Sequence, residues 1–284
     1  MLITPTKDAG AQAAVSLEFE LGPCAFTAQF HGSEGGHNWS TSQLIGPNAE
    51  AYKTRLDKVF SSHGIREAHT VNATEFNTVI LSPGDFSLKK SLSTSCYWQA
   101  PENPAEGLSL PVGHTAFQGP AGCYTIVASR YNSHDRRVYD PVKAHAGRWS
   151  LIRPRTVFRK HESVCYAVLE KLGVGTPYEA KDVWVKILWG IRPEEFPHKL
   201  REGPHADTNT WLWWYVNKNG WASGSIVQGD IAYFSLAMIA KHQLMQRGVP
   251  AHQIKLEHAD LPPGAYKDGR ANQPRNLVVV KRLS

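Results

Sequence analysis

One stretch constrains this chain more than any other: residues 122–149, which open Gly-Cys-Tyr-Thr-Ile-Val-Ala-Ser and close Lys-Ala-His-Ala-Gly-Arg-Trp. Residues 124–129 are β-branched, apolar and aromatic, the make-up of a short buried strand. A turn-rich segment follows, in which His134 and Asp135 read as a solvated tip, and then a second strand-like run over 138–144. Two strands joined this way predict a hairpin. A hairpin brings the residue before its first strand close to the residue after its second. Those residues are Cys123 and His145. A thiol and an imidazole at neighbouring strand ends suit either a shared zinc ion or a nucleophile with its base. The small Ala146-Gly147 step beyond them leaves room for a ligand to approach the backbone.

Around that hairpin, strand and helix patterns intermix. Residues 15–21 alternate polar and apolar, and 25–30 read as a second strand. A glycine-rich loop over 31–47 is placed to fold over a site. Residues 48–62 carry Tyr52, Leu56, Val59 and Phe60 at helical spacing. Further helices are expected at 156–172 and 230–246, the latter as the longest. Strands are expected at 77–81, 182–189, 254–257 and 277–281. Residues 1–14 read as a flexible leader, 84–120 as a long loop or insertion, and 197–229 as an irregular segment rich in tryptophan. No repeat or low-complexity linker divides the chain, so a single α/β (α+β) domain over 15–284, with mixed sheets and packed helices, is expected.

Composition narrows the function classes. A chain of 284 residues with 42% hydrophobic and 20% charged side chains has ample material for one large core. No run approaches the roughly 18 to 20 apolar residues of a membrane span, and no secretory signal is legible, so a cytoplasmic protein with no membrane partner is expected. Cys24, Cys96, Cys123 and Cys165 are scattered without a Cys-x-x-Cys pair, which argues against a disulfide framework. The formal charge of +6 is dispersed. Its densest group, Arg153, Arg155, Arg159 and Lys160, carries no nucleic-acid motif, so a small anion such as phosphate is the expected partner and nucleic acid is not.

The motifs resemble those of the laccase-domain family, once called multicopper polyphenol oxidases. The family pattern pairs a cysteine opening a β run with a later His-Ala-Gly. Here these are Gly122-Cys123 and Ala144-His145-Ala146-Gly147-Arg148-Trp149. His69 stands where that family has the histidine of Gln-Val-His-Gly. Residues 48–64, 187–191, 243–249 and 275–278 resemble further family segments, so the likeness covers about 15–284. The resemblance implies a zinc-dependent purine nucleoside phosphorylase with adenosine deaminase activity. Its zinc would be held by His69, Cys123 and His145, with Cys123, His145 and Arg148 as catalytic residues. Purine nucleoside and phosphate would be its small-molecule partners. Three departures stand out: Gly122 replaces an acid, Arg148 and Trp149 are swapped, and Ser150 replaces a glycine.

A second chemistry fits the same residues. The fold group includes metal-free cysteine deamidases resembling the cytotoxic necrotizing factor catalytic domain, which use a Gly-Cys at a strand start and a later histidine. A Cys123–His145 dyad would attack a carboxamide and release ammonia. His69 separates the two readings, because a zinc site needs it and a dyad does not. Cys96 with His114 is a weaker pair of the same appearance, and a non-catalytic binding protein is the third reading. The oligomeric state is not legible in the sequence.

Overall fold

Tyr124–Asn132 pairs antiparallel with Arg137–Ala146, so the expected hairpin forms, with Thr125 opposite His145 and Tyr124 opposite Ala146. The computed structural model describes residues 4–6, 14–32, 39, 48–71, 79–100, 105–120, 122–152, 163–257 and 276–284. Within it the hairpin is the centre of a six-stranded sheet. From edge to edge this sheet runs Ile254–Glu257, Val183–Leu188, Tyr124–Asn132, Arg137–Ala146, Gly107–Ser109 and Ile80–Leu81.

An eight-stranded sheet packs against it, in the order Thr4–Thr6, Ala14–Leu21, Cys24–His31, Leu277–Arg282, Thr115–Gln118, Glu67–Thr70, Cys96–Gln99 and Leu88–Ser91. A small third sheet joins Pro197–Lys199, Ile231–Phe234 and Ser225–Gln228. The helices are α1 (Ala49–Ser62), α2 (Arg148–Leu151), α3 (Val164–Lys171), α4 (Ala206–Lys218) and α5 (Leu236–Gln246).

Strand alternation sorts the interior into layers, because successive side chains leave a strand on opposite faces. Tyr52, Leu56 and Phe60 of α1 pack on Phe117, Leu277 and Val279, on the outer face of the large sheet. Val278 and Val280, one residue out of phase, meet Val127 and Leu188 between the two sheets. Ile126, Val142 and Ile187, on the other face of the six-stranded sheet, are covered by Val168 of α3, Leu212 of α4 and Leu244 of α5. The order is helix, sheet, sheet, helices, the mixed α/β architecture expected.

Several local expectations are corrected. Residues 84–120 are not a loop or insertion: four strands lie there, feeding both large sheets. The strands are three or four residues long. Gly107–Ser109 and Thr115–Gln118 are buried throughout, so they show no wet–dry alternation to read. The 230–246 helix divides. The β-branched and aromatic Ile231–Phe234 is a strand, and Ser235 then caps α5 by accepting from the Met238 N–H at 3.3 Å. Helix α1, with 14 residues, is the longest among the described residues.

The segment 197–229 is ordered into α4 and two strands of the small sheet. Tryptophan and tyrosine are only middling helix formers, but Trp211 and Tyr215 stack one turn apart, with ring centroids separated by 5.2 Å. Part of the leader, Thr4–Thr6, pairs with the strand that follows it. The glycine-rich loop at 33–38 and 40–47, the basic group at 153–160 and the start of the 156–172 helix lie outside the described residues. Among the described residues no helix is long and apolar enough to cross a membrane.

Candidate functional site

Cys123 sits one residue outside the hairpin ladder and two residues from Thr125, which pairs with His145. The two predicted residues therefore lie at one end of the hairpin. The backbone before Cys123 is clamped: Gly122 accepts from the Ile191 N–H at 2.8 Å, and a Cβ on Gly122 would lie 2.9 Å from the Ile191 Cβ. An acid could not occupy position 122 in this arrangement, which accounts for the glycine there. Tyr124 secures the other side by donating its hydroxyl to the Ile191 carbonyl at 3.1 Å, and Gly190 allows the contact, since a Cβ there would fall 2.3 Å from the Tyr124 ring. Among the described residues no cysteine forms a disulfide.

His145 is buried and held by one partner twice. Its backbone N–H donates to the Glu106 carbonyl at 2.7 Å, and its Nδ1 lies 2.8 Å from the Glu106 carboxylate Oε2. A carboxylate accepts, so Nδ1 carries the proton and Nε2 holds the basic lone pair. Glu106 is 0% exposed, and its second oxygen, Oε1, has no hydrogen-bond partner among the described residues. Beside it Lys143, also 0% exposed, donates to the Gln118 side-chain oxygen across the two sheets. Burial pushes the Lys143 pKa down to about 7 against the opposing pull of the Glu106 charge.

Sequence reasoning missed both charged partners. Lys143 was visible in principle, two residues before His145 and so on the same face of its strand. Glu106 gave no signal, since it precedes a three-residue strand in a stretch that reads as loop.

His69 faces the layer between the sheets from the opposite side. Its ring stacks on His114 at 5.2 Å and on Trp98 at 6.4 Å, with Phe86 edge-on at 5.0 Å. Burial, then the neighbouring His114, lowers its pKa, and its buried Nδ1 has no hydrogen-bond partner among the described residues. His145, with Nδ1 committed to a carboxylate, has the form of a metal ligand. The trio implied for zinc is not assembled: among the described residues no three His, Cys, Asp or Glu side chains are gathered closely enough to hold a metal ion.

Cys123 and Arg148 both line a cleft of about 610 Å³ between the hairpin end and the small sheet. Gly147 caps α2, with its N–H donating to Ser150 Oγ at 2.8 Å, and Arg148 follows as the first helical residue, its guanidinium 4.3 Å from the Trp149 ring centre. Ser150, where the family pattern has glycine, is thus a buried capping partner. The rest of the cleft wall includes Phe196, His198, Lys199, Glu202, His205 and Asn209. His198 Nδ1 donates to the Phe196 carbonyl at 2.8 Å. His145 is not on that wall. The Cys96–His114 pair is not assembled either: His114 stacks on His69, and the Cys96 thiol reaches Glu67 at 3.8 Å.

No family model matches the chain, and no curated protein matches it in sequence. Solved structures do match. The hypothetical protein YfiH of Bacillus licheniformis superposes with a TM-score of 0.61 over 96% of this chain and 97% of that one, at 12% identity. Protein NMB0706 of Neisseria meningitidis gives 0.60 over 94% and 98%, at 15% identity. YlmD of Geobacillus stearothermophilus gives 0.59 over the whole of both chains, at 12% identity. At such identities the likeness is one of fold, and it runs the length of the chain. The resemblance drawn from the motifs is met in the fold: this chain has the laccase-like, YfiH-type α/β architecture.

Proposed function

We propose that this protein is a cysteine-dependent amide hydrolase acting on a small substrate in the cleft beside Cys123. The observation that carries the reading is the buried His145 Nδ1 to Glu106 Oε2 contact of 2.8 Å, at the hairpin end where Cys123 meets the cleft. A nucleophile, a base and a buried group orienting that base form the constellation of acyl-transfer enzymes. His145 Nε2 takes the Cys123 proton as sulfur attacks the carboxamide carbon. The tetrahedral adduct expels ammonia, which leaves with the proton from His145, and a thioester remains. Water, deprotonated by the same nitrogen, then releases the carboxylate and the thiol. Arg148 supplies positive charge for an anionic part of the substrate. A cytoplasmic location belongs to the same proposal.

A second reading is favoured by the size and charge of the cleft. About 610 Å³ with Phe196, Arg148 and Lys199 on its wall has room for a purine nucleoside and a phosphate. That supports the phosphorylase or deaminase activity implied by the resemblance.

One experiment separates the two. Ammonia release from small carboxamides and phosphorolysis or deamination of adenosine and inosine are assayed on the same protein, purified without a metal-affinity tag, with zinc measured by elemental analysis. Ammonia from carboxamides, with iodoacetamide labelling of Cys123 that slows in His145→Ala, supports the hydrolase. Near-stoichiometric zinc, lost in His69→Ala together with nucleoside turnover, overturns it. No turnover of any substrate leaves a binding protein on this fold.

A further inference from the structure

Trp189 leaves the strand Val183–Leu188 with a φ of 27°, and among the described residues only Arg136, in the hairpin turn, shares a positive φ without being glycine. Such a conformation is costly for a bulky side chain, and where a fold keeps one it commonly serves a site. Trp189 is 1% exposed and packs with Ile191 in the apolar layer between the two large sheets, its ring edge-on to Phe30, so burial fixes the bend. A glycine stands one position later, at 190, where any Cβ would strike the Tyr124 ring. The bend delivers the Ile191 peptide to both sides of Cys123. Its N–H donates to the Gly122 carbonyl at 2.8 Å, and its carbonyl accepts from the Tyr124 hydroxyl at 3.1 Å. That hydroxyl is out of place on its face of the sheet. Tyr124 is 1% exposed in the apolar cluster of Ile126, Ala144 and Ala146, where phenylalanine would fill the same space without burying a polar atom.

We propose that Tyr124 is a positioning residue for the Cys123 thiol: its hydroxyl and the bend at Trp189 hold the Ile191 peptide against residues 122 and 124, and so fix the direction in which the thiol leaves the chain. This rests on the hydrolase reading for the use made of the thiol. Cys123 lies one residue outside the hairpin ladder, where strand ends fray most readily, and two residues from Thr125, the partner of His145. A clamp on both of its neighbours takes the place of the ladder there and keeps the sulfur aligned on its base.

The test is the rate of Cys123 alkylation by iodoacetamide, followed by mass spectrometry in a Cys96→Ser background, in which the other two thiols, Cys24 and Cys165, are buried. Tyr124→Phe keeps the ring and removes one oxygen. It is expected to slow labelling about tenfold where His145 is present and to change it by less than about twofold in His145→Ala protein, because a misdirected thiol no longer profits from the base. Gly190→Ala, which presses a Cβ on the Tyr124 ring, is expected to reproduce that pattern and carries the test should Tyr124→Phe fail to fold. Ile126→Ala, on the same strand and with a larger loss of stability in urea, controls for a purely structural effect and should label at the parent rate. Labelling of the clamp variant at the parent rate overturns the positioning role, as does equal slowing with and without His145, or equal slowing in Ile126→Ala. The expected cycle in a protein that releases no ammonia from carboxamides overturns the hydrolase and leaves the positioning role standing.

Discussion

Along the hairpin, Ile126, Ala128, Val142 and Ala144 pack beneath the helices, while Thr125, Lys143 and His145, one residue out of phase, face the eight-stranded sheet. Both sets are buried to the same degree, so burial alone does not separate them. The first face is apolar throughout and behaves as core. The second carries a lysine, a histidine and, from a neighbouring strand end, Glu106, in a layer where Thr125 Oγ1, Glu106 Oε1 and His69 Nδ1 all lack hydrogen-bond partners among the described residues. Apolar packing would hold two sheets together at lower cost than a buried lysine and carboxylate. The polar face is where stability has been given up, and such exchanges mark working sites more often than structural ones.

Cys123→Ser and His145→Ala should each lower amide hydrolysis about a thousandfold, some 4 kcal/mol in the barrier, while thermal unfolding shows the fold retained. A comparable rate in either variant sinks the catalytic assignment of this face. On the apolar face, Ile126→Ala should cost about 2–5 kcal/mol in denaturant unfolding and leave the iodoacetamide reactivity of Cys123 unchanged. Gly122→Ala sits where the two faces meet. The new Cβ would press on Ile191, so a loss of about 1–3 kcal/mol is expected, together with altered labelling of Cys123.

Lys143 has its pKa lowered from 10.5 to about 7, chiefly by burial, so between those values the unfolded chain holds a proton that the folded one has released. Stability should therefore gain from this group as pH rises through that window, and Lys143→Met should flatten the gain in urea titrations at pH 7, 8.5 and 10. The smallest effect belongs to His31, whose pKa burial and then His63 lower from 6.5 to about 4. Here the unfolded chain takes up the proton first as pH falls, so stability declines from about pH 6.5 toward 4. His31→Phe should weaken that acid limb. An unchanged slope would mean that His31 is not buried as a neutral ring.

What could be read before folding was whatever repeats over a few residues. The period of two in the hairpin, the helical spacing of Tyr52, Leu56 and Phe60 in α1, and the turn between Asn132 and Arg137 are local, and each appears near its expected place. The expected 230–246 helix failed for an equally local reason, since a strand of Ile231–Phe234 shares its apolar residues with a helix pattern and only Ser235 marks the boundary. Cys123 and His145 were legible as a pair because a hairpin is nearly a sequence-local object.

Tertiary structure decided the rest. Glu106 reaches His145 across 39 positions of sequence, Lys143 meets Gln118 between two different sheets, and the cleft wall at 198–209 is carried to Cys123 by a third sheet. It also placed His69 in an aromatic stack with His114 rather than in a trio with Cys123 and His145. Contacts of that kind depend on how sheets stack, and stacking is settled by the summed burial of many side chains rather than by the residues that finally touch.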